Sequence, residues 1–253
     1  MAGPASIALK VDASSPTRHL HQPINFRELL LKRAGSDELK KSLQTRLRLL
    51  ASACVLLEKV SYSDLKIGDI CAHAKMSHGI AYHYYQDKSE LVSDLLGRFT
   101  KEIFEGYFEH PVLETNNNPY LRIFDANAYY FRCIESNPGV FATLFRLRGE
   151  LPAAKSAVQD MNNAWNRRVG HSIKGEFDPP LTEQERLLLG YTLGGMADDL
   201  LGQFYAIKNP DLKAPKTKAE RRRICELLSI LWYRAVYAKQ PDADVLKAAR
   251  ELF

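Results

Sequence analysis

Cysteine is scarce in this sequence, and no pair has the spacing of a metal or redox site. The four cysteines among 253 residues are Cys54, Cys71, Cys133 and Cys225, and no two form a C-x-x-C pair. The seven histidines include no H-E-x-x-H motif and no pair four residues apart. Metal sites need such clustering, whereas isolated cysteines in apolar patterns are typical of buried, reduced thiols. The sequence therefore predicts free thiols and no metal site.

Long apolar runs are also lacking. No run reaches the roughly eighteen apolar residues of a membrane-spanning helix, and residues 1–16 lack the basic segment followed by an apolar segment of a signal peptide. We therefore expect a soluble, cytoplasmic protein. The sequence contains no nucleophile motif, no glycine-rich phosphate loop and no paired carboxylates at a useful spacing. A helical enzyme or carrier is thus disfavoured, and no cofactor is predicted.

What is present is a mildly basic chain with helical patterning. Hydrophobic residues make up 45%, the net charge is +5 and the pI is near 8.9, so nucleic-acid binding is permitted but not established. Apolar residues recur at three- and four-residue spacing, and neither strand alternation nor an internal repeat is found. The pattern predicts an all-α protein of about ten helices.

The stretch Lys66–Lys88, KIGDICAHAKMSHGIAYHYYQDK, carries the most informative pattern. Its first part, up to Ala74, places apolar residues on one helical face. Lys75-Met76 form a turn, and Ser77 is a good N-cap for a second short helix over residues 78–85. Two short helices joined by a tight turn form a helix-turn-helix unit, whose second helix fits the major groove of DNA. The alternative is an ordinary helical hairpin in an all-α core.

These residues resemble the signature of the tetracycline-repressor (TetR) family of bacterial regulators. The match runs Asp69-Ile70-Cys71-x-x-Ala74, then Ser77-x-Gly79-x-x-Tyr82-x-Tyr84-Tyr85-x-x-Lys88-x-x-Leu91. It covers residues 43–96 in detail. The resemblance implies an N-terminal three-helix DNA-binding domain and a larger C-terminal helical domain for ligand binding and dimerisation.

The resemblance also implies roles for individual residues on DNA. The helix that Ser77 caps would enter the major groove, where its histidines and Tyr84 can hydrogen-bond to bases or phosphates. Tyr82 and Lys88 match positions that contact phosphates, with core packing as the alternative for Tyr82, whereas Tyr85 matches a buried aromatic position. The predicted DNA-binding residues are Arg46, Lys66, Ser77, His78, Gly79, Ile80, Tyr82, His83, Tyr84 and Lys88.

Four positions depart from the family pattern. Ser61 stands where glycine usually permits a left-handed helix exit, which predicts some strain or a different exit geometry. Lys66 replaces a threonine or serine at the start of the second helix, and Lys75 replaces the usual turn glycine. Ile80 replaces a small or polar residue, so a more apolar readout of DNA is expected. These departures leave the turn geometry open.

The chain before this stretch predicts an arm and a helix. Residues 1–35 are rich in Ala, Ser, Pro and His and predict a flexible arm, in which residues 24–31 could form one docked helical turn. The arm is either a disordered leader or a segment that reaches a DNA groove. Residues 36–90 are assigned to the DNA-binding domain, which begins with a helix from Ser36 to Lys59. Residues 91–253 are assigned to the C-terminal domain.

Two features of the C-terminal domain concern assembly and ligand binding. The helix after Thr182 carries several glycines, and the helix Ile224–Ala235 has an apolar stripe; the resemblance assigns this pair to a four-helix dimer interface. The aromatic residues of the middle region are either ordinary core or the lining of a small-molecule pocket, which the family typically has. The candidate ligand-binding residues are Asn127, Tyr130, Trp165 and Tyr191.

Together these interpretations predict a DNA-binding transcriptional regulator. We expect a repressor that binds a near-palindromic operator on double-stranded DNA as a homodimer and is released by a small apolar effector. In the alternative, the C-terminal domain is a dimerisation or partner-protein module with no small-molecule ligand. No catalytic residue is predicted.

Overall fold

The chain folds into helices throughout the part that the structure describes. The computed structural model describes residues 22–108, 119–147, 150, 152–173, 177 and 180–237. Within them lie ten α-helices, a π-helical turn and no β-strand, which confirms the predicted all-α class. The bounds are α1 Phe26–Ala34, α2 Lys41–Leu57, α3 Ile67–His73, α4 His78–Tyr84, α5 Lys88–Phe108, α6 Pro119–Ser136, α7 Pro138–Leu147, α8 Pro152–Ser172, α9 Glu183–Gly202, the π-helical turn Gln203–Ile207 and α10 Lys218–Tyr237.

Two further observations concern the helices as a set. A short helix predicted from Pro241 onward lies outside the described residues. Among the helices that are described, none combines the length and the apolar character needed to cross a membrane.

The apolar stripe of α2 forms the floor of the small N-terminal core. Its spacing matches the prediction, and the buried members are Leu47, Leu50, Cys54 and Leu57. The helix begins at Lys41 and not at the predicted Ser36. The side-chain amide of Gln44 donates to the carbonyls of Ser36 (2.8 Å) and Leu39 (3.1 Å), which holds the residues before α2 in a separate turn.

Residues 26–34, which the sequence places in a flexible arm, instead form α1 packed on α2. The Asn25 side chain caps this helix by accepting from the backbone N–H of Glu28 at 3.2 Å. The buried residues recur every fourth position and are Phe26, Leu30 and Ala34. The flexible-arm assignment is wrong for this segment and the docked helical turn considered for residues 24–31 is present, because burying this apolar face offsets the entropy lost on ordering the segment. Residues 1–21 of the predicted arm lie outside the described residues.

The buried amide of Asn137 ties the segment before α1 to the corner between α6 and α7. Its Nδ2 donates to the carbonyls of Ile24 (2.6 Å) and Cys133 (2.7 Å). Its Oδ1 accepts from the backbone N–H of Phe26 at 2.8 Å. A single side chain therefore holds the start of α1 against the larger domain.

A close backbone contact joins α2 to α7. A Cβ added at Gly139 would lie 2.5 Å from the carbonyl carbon of Leu57, so this crossing requires glycine. The carboxylate of Glu58 accepts from the backbone N–H of Gly139 at 2.9 Å, and burial raises the pKa of Glu58. The N-terminus of α7 is thus bonded directly to the end of α2.

Helix α5 runs from the N-terminal unit into the larger domain. Asp87 caps its start by accepting from the backbone N–H of Glu90 at 2.8 Å. Its apolar stripe is buried and consists of Leu91, Leu95, Phe99 and Ile103. At about 1.5 Å per residue, its 21 residues span about 30 Å. The two parts of the chain therefore share one continuous helix.

Helices α8 and α9 approach closely at a glycine. A Cβ at Gly190 would lie 2.3 Å from the carbonyl oxygen of Asn166, so no larger residue fits there without moving a helix. A capping box of Thr182 and Glu185 starts α9. Gly190 thus permits a tight crossing of α8 and α9.

Helix α10 is apolar on two faces, and this changes the predicted stripe. Leu228 is buried, but Leu231, predicted to share its stripe, is 53% exposed. The residues that face inward are Cys225, Leu228, Ser229, Trp232 and Val236. Leu231 therefore belongs to a second, outer apolar face.

All four cysteines are buried and free, as predicted. Burial raises the pKa of the Cys54 thiol to about 12 and that of Cys225 to about 11, so both remain protonated at neutral pH. In the described part of the chain, no three His, Cys, Asp or Glu side chains are grouped closely enough to hold a metal ion.

Candidate nucleic-acid interface

The predicted helix-turn-helix is present as α3, a tight turn and α4. Ala81 of α4 is fully buried against the core, whereas the Tyr82 side chain is 52% exposed. The alternative that Tyr82 packs in the core is therefore wrong. The predicted burial of Tyr85 is confirmed, since this residue is only 1% exposed. The exposed residues of α4 and its cap are Ser77, His78, Gly79, Tyr82 and His83.

Two of the predicted DNA-binding residues on α4 are less exposed. Ile80 and Tyr84 are half-buried and pack partly against the core. The His83 ring lies 4.9 Å from the Tyr84 ring in an edge arrangement. The core therefore restrains these side chains more than the exposed histidines.

A groove of about 510 Å³ runs between the start of α3, the outer side of α4 and the start of α5. It brings together four predicted residues: Lys66, His78, Tyr82 and Lys88. The His78 and Tyr82 rings are 5.3 Å apart. Gln86 and Asp87 also line the groove. Neither was among the predicted DNA-binding residues, and their only sequence signal is their position between α4 and α5.

The ammonium group of Lys88 is held by the protein itself. Its Nζ donates to the carbonyls of Tyr62 (2.8 Å) and Ser63 (3.1 Å) and lies 4.5 Å from the centre of the Tyr62 ring. Two of its three donor hydrogens are therefore used within the chain. The geometry gives Lys88 a role in positioning the loop before α3, which the sequence did not indicate.

Arg46 is also paired within the protein. Its Nη2 donates to Asp94 of α5 at 3.0 Å, and its Nε donates to the Tyr85 hydroxyl at 3.5 Å. Tyr85 in turn donates to Asp94 at 2.8 Å, and burial raises the pKa of that phenol. This network joins α2, the end of α4 and α5, so Arg46 connects the recognition unit to the long helix.

The turn between α3 and α4 has a left-handed residue. Lys75, which stands where the family usually has glycine, has φ 56°. The backbone N–H of Met76 donates to the Cys71 carbonyl at 2.9 Å and closes the turn around it. Ser61 does not adopt a positive φ, so the helix exit there carries no left-handed strain. The turn therefore has a left-handed backbone at Lys75, a conformation that favours glycine over lysine.

Replacing Lys75 with glycine should therefore stabilise the protein. We expect Lys75→Gly to raise the free energy of unfolding by about 1 kcal/mol, since a side chain in the left-handed region costs about that much. Urea denaturation measures the change. The matched control is Ser61→Gly, which should leave stability unchanged or lower it, because its φ is not positive. Equal stabilisation by both variants would contradict the assignment of strain to Lys75.

The N-terminal region matches a known family model. Residues 49–95, from α2 to the first part of α5, match the model described as bacterial regulatory proteins, tetR family. This region is therefore a TetR-type DNA-binding unit. No curated protein matches the chain.

Solved structures with the same fold match about three quarters of this chain. A tetR-family transcriptional regulator from Streptomyces coelicolor is 17% identical with a TM-score of 0.59, over 75% of this chain and 78% of that chain. A transcriptional regulator from Rhodococcus sp. Rha1 is 14% identical with a TM-score of 0.60, over 75% and 96%. The TetR-family regulator PfmR from Thermus thermophilus is 18% identical with a TM-score of 0.54, over 74% and 97%. At these identities the likeness establishes the fold.

A cavity of about 880 Å³ lies among the helices that follow the helix-turn-helix unit. Residues of α5 to α10 line it. The four candidate ligand-binding residues are all in its wall: Asn127, Tyr130, Trp165 and Tyr191. Three lining residues that sequence reasoning missed are Asn166, Asp198 and Trp232. Nothing in the local sequence pattern separates these three from ordinary helix residues.

The outer sides of α9 and α10 carry an apolar surface. On α9, Leu188 is 63% exposed, and no atom lies within 4 Å of the position of a Cβ at Gly195. On α10, Leu227 is 46% and Leu231 is 53% exposed. Large exposed apolar side chains of this kind are typical of an interaction surface.

Proposed function

We propose that this regulator is a repressor that binds a near-palindromic operator as a homodimer and is released by a small, largely apolar ligand. The observation that carries the proposal is the course of α5. Its start holds the recognition unit through Lys88 and Asp94. Its later turns, from Leu96 to Tyr107, form part of the cavity wall. One rigid helix thus contacts both the DNA-binding unit and the cavity.

On DNA, we propose that α4 lies in the major groove. Its exposed histidines and Tyr82 offer ring N–H and hydroxyl groups to base edges and phosphates, and the open space at Gly79 permits close approach. Ser77 and Lys66 lie at the starts of α4 and α3, where phosphate contacts are favourable. The proposed set also includes Arg46, Ile80, Tyr84 and Lys88. Of these, Arg46 and Lys88 act partly through the contacts that hold α4 in place.

A homodimer through α9 and α10 would place two recognition helices on one face of DNA. The exposed leucines of both helices support this surface, and the open position at Gly195 would admit a partner helix. Recognition helices about 34 Å apart contact successive turns of the major groove. The operator would accordingly consist of two related half-sites.

Ligand release would follow from a population shift. A ligand that contacts α5 from the cavity favours the arrangement of α5 in which it binds best. Because α5 carries the Asp94 network and the Lys88 tether, its displacement changes the separation of the two recognition helices. The apolar cavity supports this mechanism over a C-terminal domain that serves dimerisation or a partner protein alone.

Operator binding tests the DNA-contacting residues. The probe is the promoter region of the neighbouring gene, in a shift assay. His83→Ala should lower affinity about tenfold and reduce discrimination at one position of each half-site, because a lost base contact is specific to that base pair. Lys88→Ala should weaken binding to all sequences alike, since it loosens the loop before α3.

The control and the salt dependence sharpen this test. His171→Ala, an exposed histidine on α8, should bind as the native protein does. If Lys88 also contacts a phosphate, its variant should lower the slope of log affinity against log salt by about one. Native affinity in both His83→Ala and Lys88→Ala would show that the interface is assigned incorrectly.

A further inference from the structure

One side chain of the recognition helix is in close contact with the backbone of α3. A Cβ at Gly68 would lie 3.2 Å from Cδ2 and 3.3 Å from Nε2 of the His78 ring. Both distances are shorter than an ordinary carbon contact of about 3.5–4.0 Å, so any side chain at Gly68 would meet the imidazole. Glycine is less favourable than alanine within a helix, and here it leaves room for the His78 ring.

Tyr82, one turn further along α4, packs on the same imidazole. The centres of the two rings are 5.3 Å apart, with an angle of 50° between their planes. This separation is in the range of favourable aromatic pairs. The His78 ring therefore has a neighbour on α3 and a neighbour on α4, although the residue is exposed to solvent.

The backbone of His78 is also fixed to α3. Its carbonyl accepts from the buried thiol of Cys71 at 3.8 Å. Ala81, three residues later on α4, is fully buried against the core. Helix α3 thus positions both the backbone and the ring of His78.

The polar atoms of this ring are available for DNA. Neither ring nitrogen of His78 is hydrogen-bonded to another residue in the part of the chain that the structure describes. Within an imidazole, Nδ1 lies opposite the Cδ2–Nε2 bond, so it is turned away from Gly68. Imidazole nitrogens can donate to or accept from the base edges in a major groove. The ring therefore presents an unpaired nitrogen in a fixed orientation.

Building on the proposed function, we propose that His78 reads one base pair in each half-site and that Gly68 determines this specificity by positioning the His78 ring. Gly68 offers no side-chain donor or acceptor, so it acts through His78. Holding the ring before DNA is bound reduces the side-chain entropy that binding would remove. Hydrogen bonds weaken steeply when they are misaligned, so discrimination between bases depends on the ring orientation.

Selection of binding sequences from a random duplex library by the full chain tests this proposal. The native chain should select two related half-sites. In His78→Ala, the preference at one position of each half-site should fall about tenfold, because a lost base contact is specific to that base pair. In Gly68→Ala, the preference at the same position should fall at least about threefold, since the added methyl group displaces the ring.

The double variant Gly68→Ala, His78→Ala shows whether the two residues act together. Its sequence preferences should equal those of His78→Ala alone, because no ring remains for the methyl group to displace. A further change in preference would mean that Gly68 acts independently of His78 and would overturn the proposal. The melting temperature of Gly68→Ala should be unchanged or higher, since alanine is the better helix former and the exposed ring can move.

Gly35→Ala is the matched control. A Cβ at Gly35 lies at an ordinary distance of 3.6 Å from the carbonyl oxygens of Leu31 and Lys32, so this variant should keep the native preferences. Native preference in Gly68→Ala would overturn the proposal. An equal loss of affinity for all sequences would also overturn it, because that pattern indicates a phosphate contact.

The same selection separates this inference from the proposed function. Failure of the native chain to select any sequence would contradict operator binding itself. Selection of half-sites by the native chain, with unchanged preferences in both His78→Ala and Gly68→Ala, would support operator binding and overturn the role of these two residues.

Discussion

The substitution Gly190→Ala should destabilise the protein by about 3 kcal/mol. A Cβ at this position would lie 2.3 Å from the carbonyl oxygen and 3.0 Å from the carbonyl carbon of Asn166, both backbone atoms of α8. No rotamer change relieves such a contact, so α8 and α9 must separate, and the cost should be about 4 kcal/mol, above the roughly 1–3 kcal/mol typical of overpacking. The better helix propensity of alanine, about 1 kcal/mol, offsets part of that cost.

Thermal unfolding measures the effect, and a second glycine is the control. For a chain of this size, each 1 kcal/mol lowers the melting temperature by about 2–4 °C, so a fall of about 6–12 °C is expected. Gly79→Ala should cause no such fall, because no atom lies within 4 Å of a Cβ there. Unchanged stability of Gly190→Ala would mean that the α8–α9 crossing is wider than described.

The double substitution Leu227→Asp and Leu231→Asp should abolish dimerisation and lower operator affinity at least about 100-fold. Both leucines lie on the outer face of α10 and are roughly half exposed in the single chain. In a dimer they would be buried, and two unpaired carboxylates per protomer would then lose their hydration. A monomer contacts one half-site, so it loses the binding contributed by the second recognition helix.

Sedimentation and operator binding together measure this result. The sedimentation coefficient should fall to that of a monomer while the helical content stays unchanged. Leu212→Asp is the control, since Leu212 is a similarly exposed leucine in the loop before α10. A double variant that remains dimeric would exclude this face of α10 from the interface. A monomeric variant with native affinity would show that dimerisation does not contribute to operator binding.

Much of the fold follows from local patterns in the sequence. The stripes of α2 and α5, the cap at Asp87 and the capping box at Thr182 depend on residues at most one turn apart. Such contacts depend on helical periodicity alone. The helix-turn-helix is local for the same reason, and it includes the turn around Lys75 despite the missing glycine. The residues on the exposed side of α4 could therefore be predicted from their spacing.

Contacts between distant segments decided what the sequence could not. Helix α1 is ordered through the Asn137 amide, which lies 111 positions from Phe26. The Lys88 ammonium donates to loop carbonyls 25 and 26 positions away, so two of its hydrogen-bond donors are already occupied in the absence of DNA. No periodic pattern encodes such pairings, because they arise from the packing of separate helices.

The sequence by itself determined most of the helices and the recognition unit. It left α10 ambiguous, because a helix that is apolar on two faces has no single inward direction, and the structure assigned Leu228 to the core and Leu231 to the surface. Asn166 Oδ1 on α8 and Trp232 Nε1 on α10 are buried with no hydrogen-bond partner in the described part of the chain, and the sequence gives no sign that either lacks one. Whether a buried polar atom finds a partner depends on three-dimensional packing, so only the tertiary structure could identify this pair.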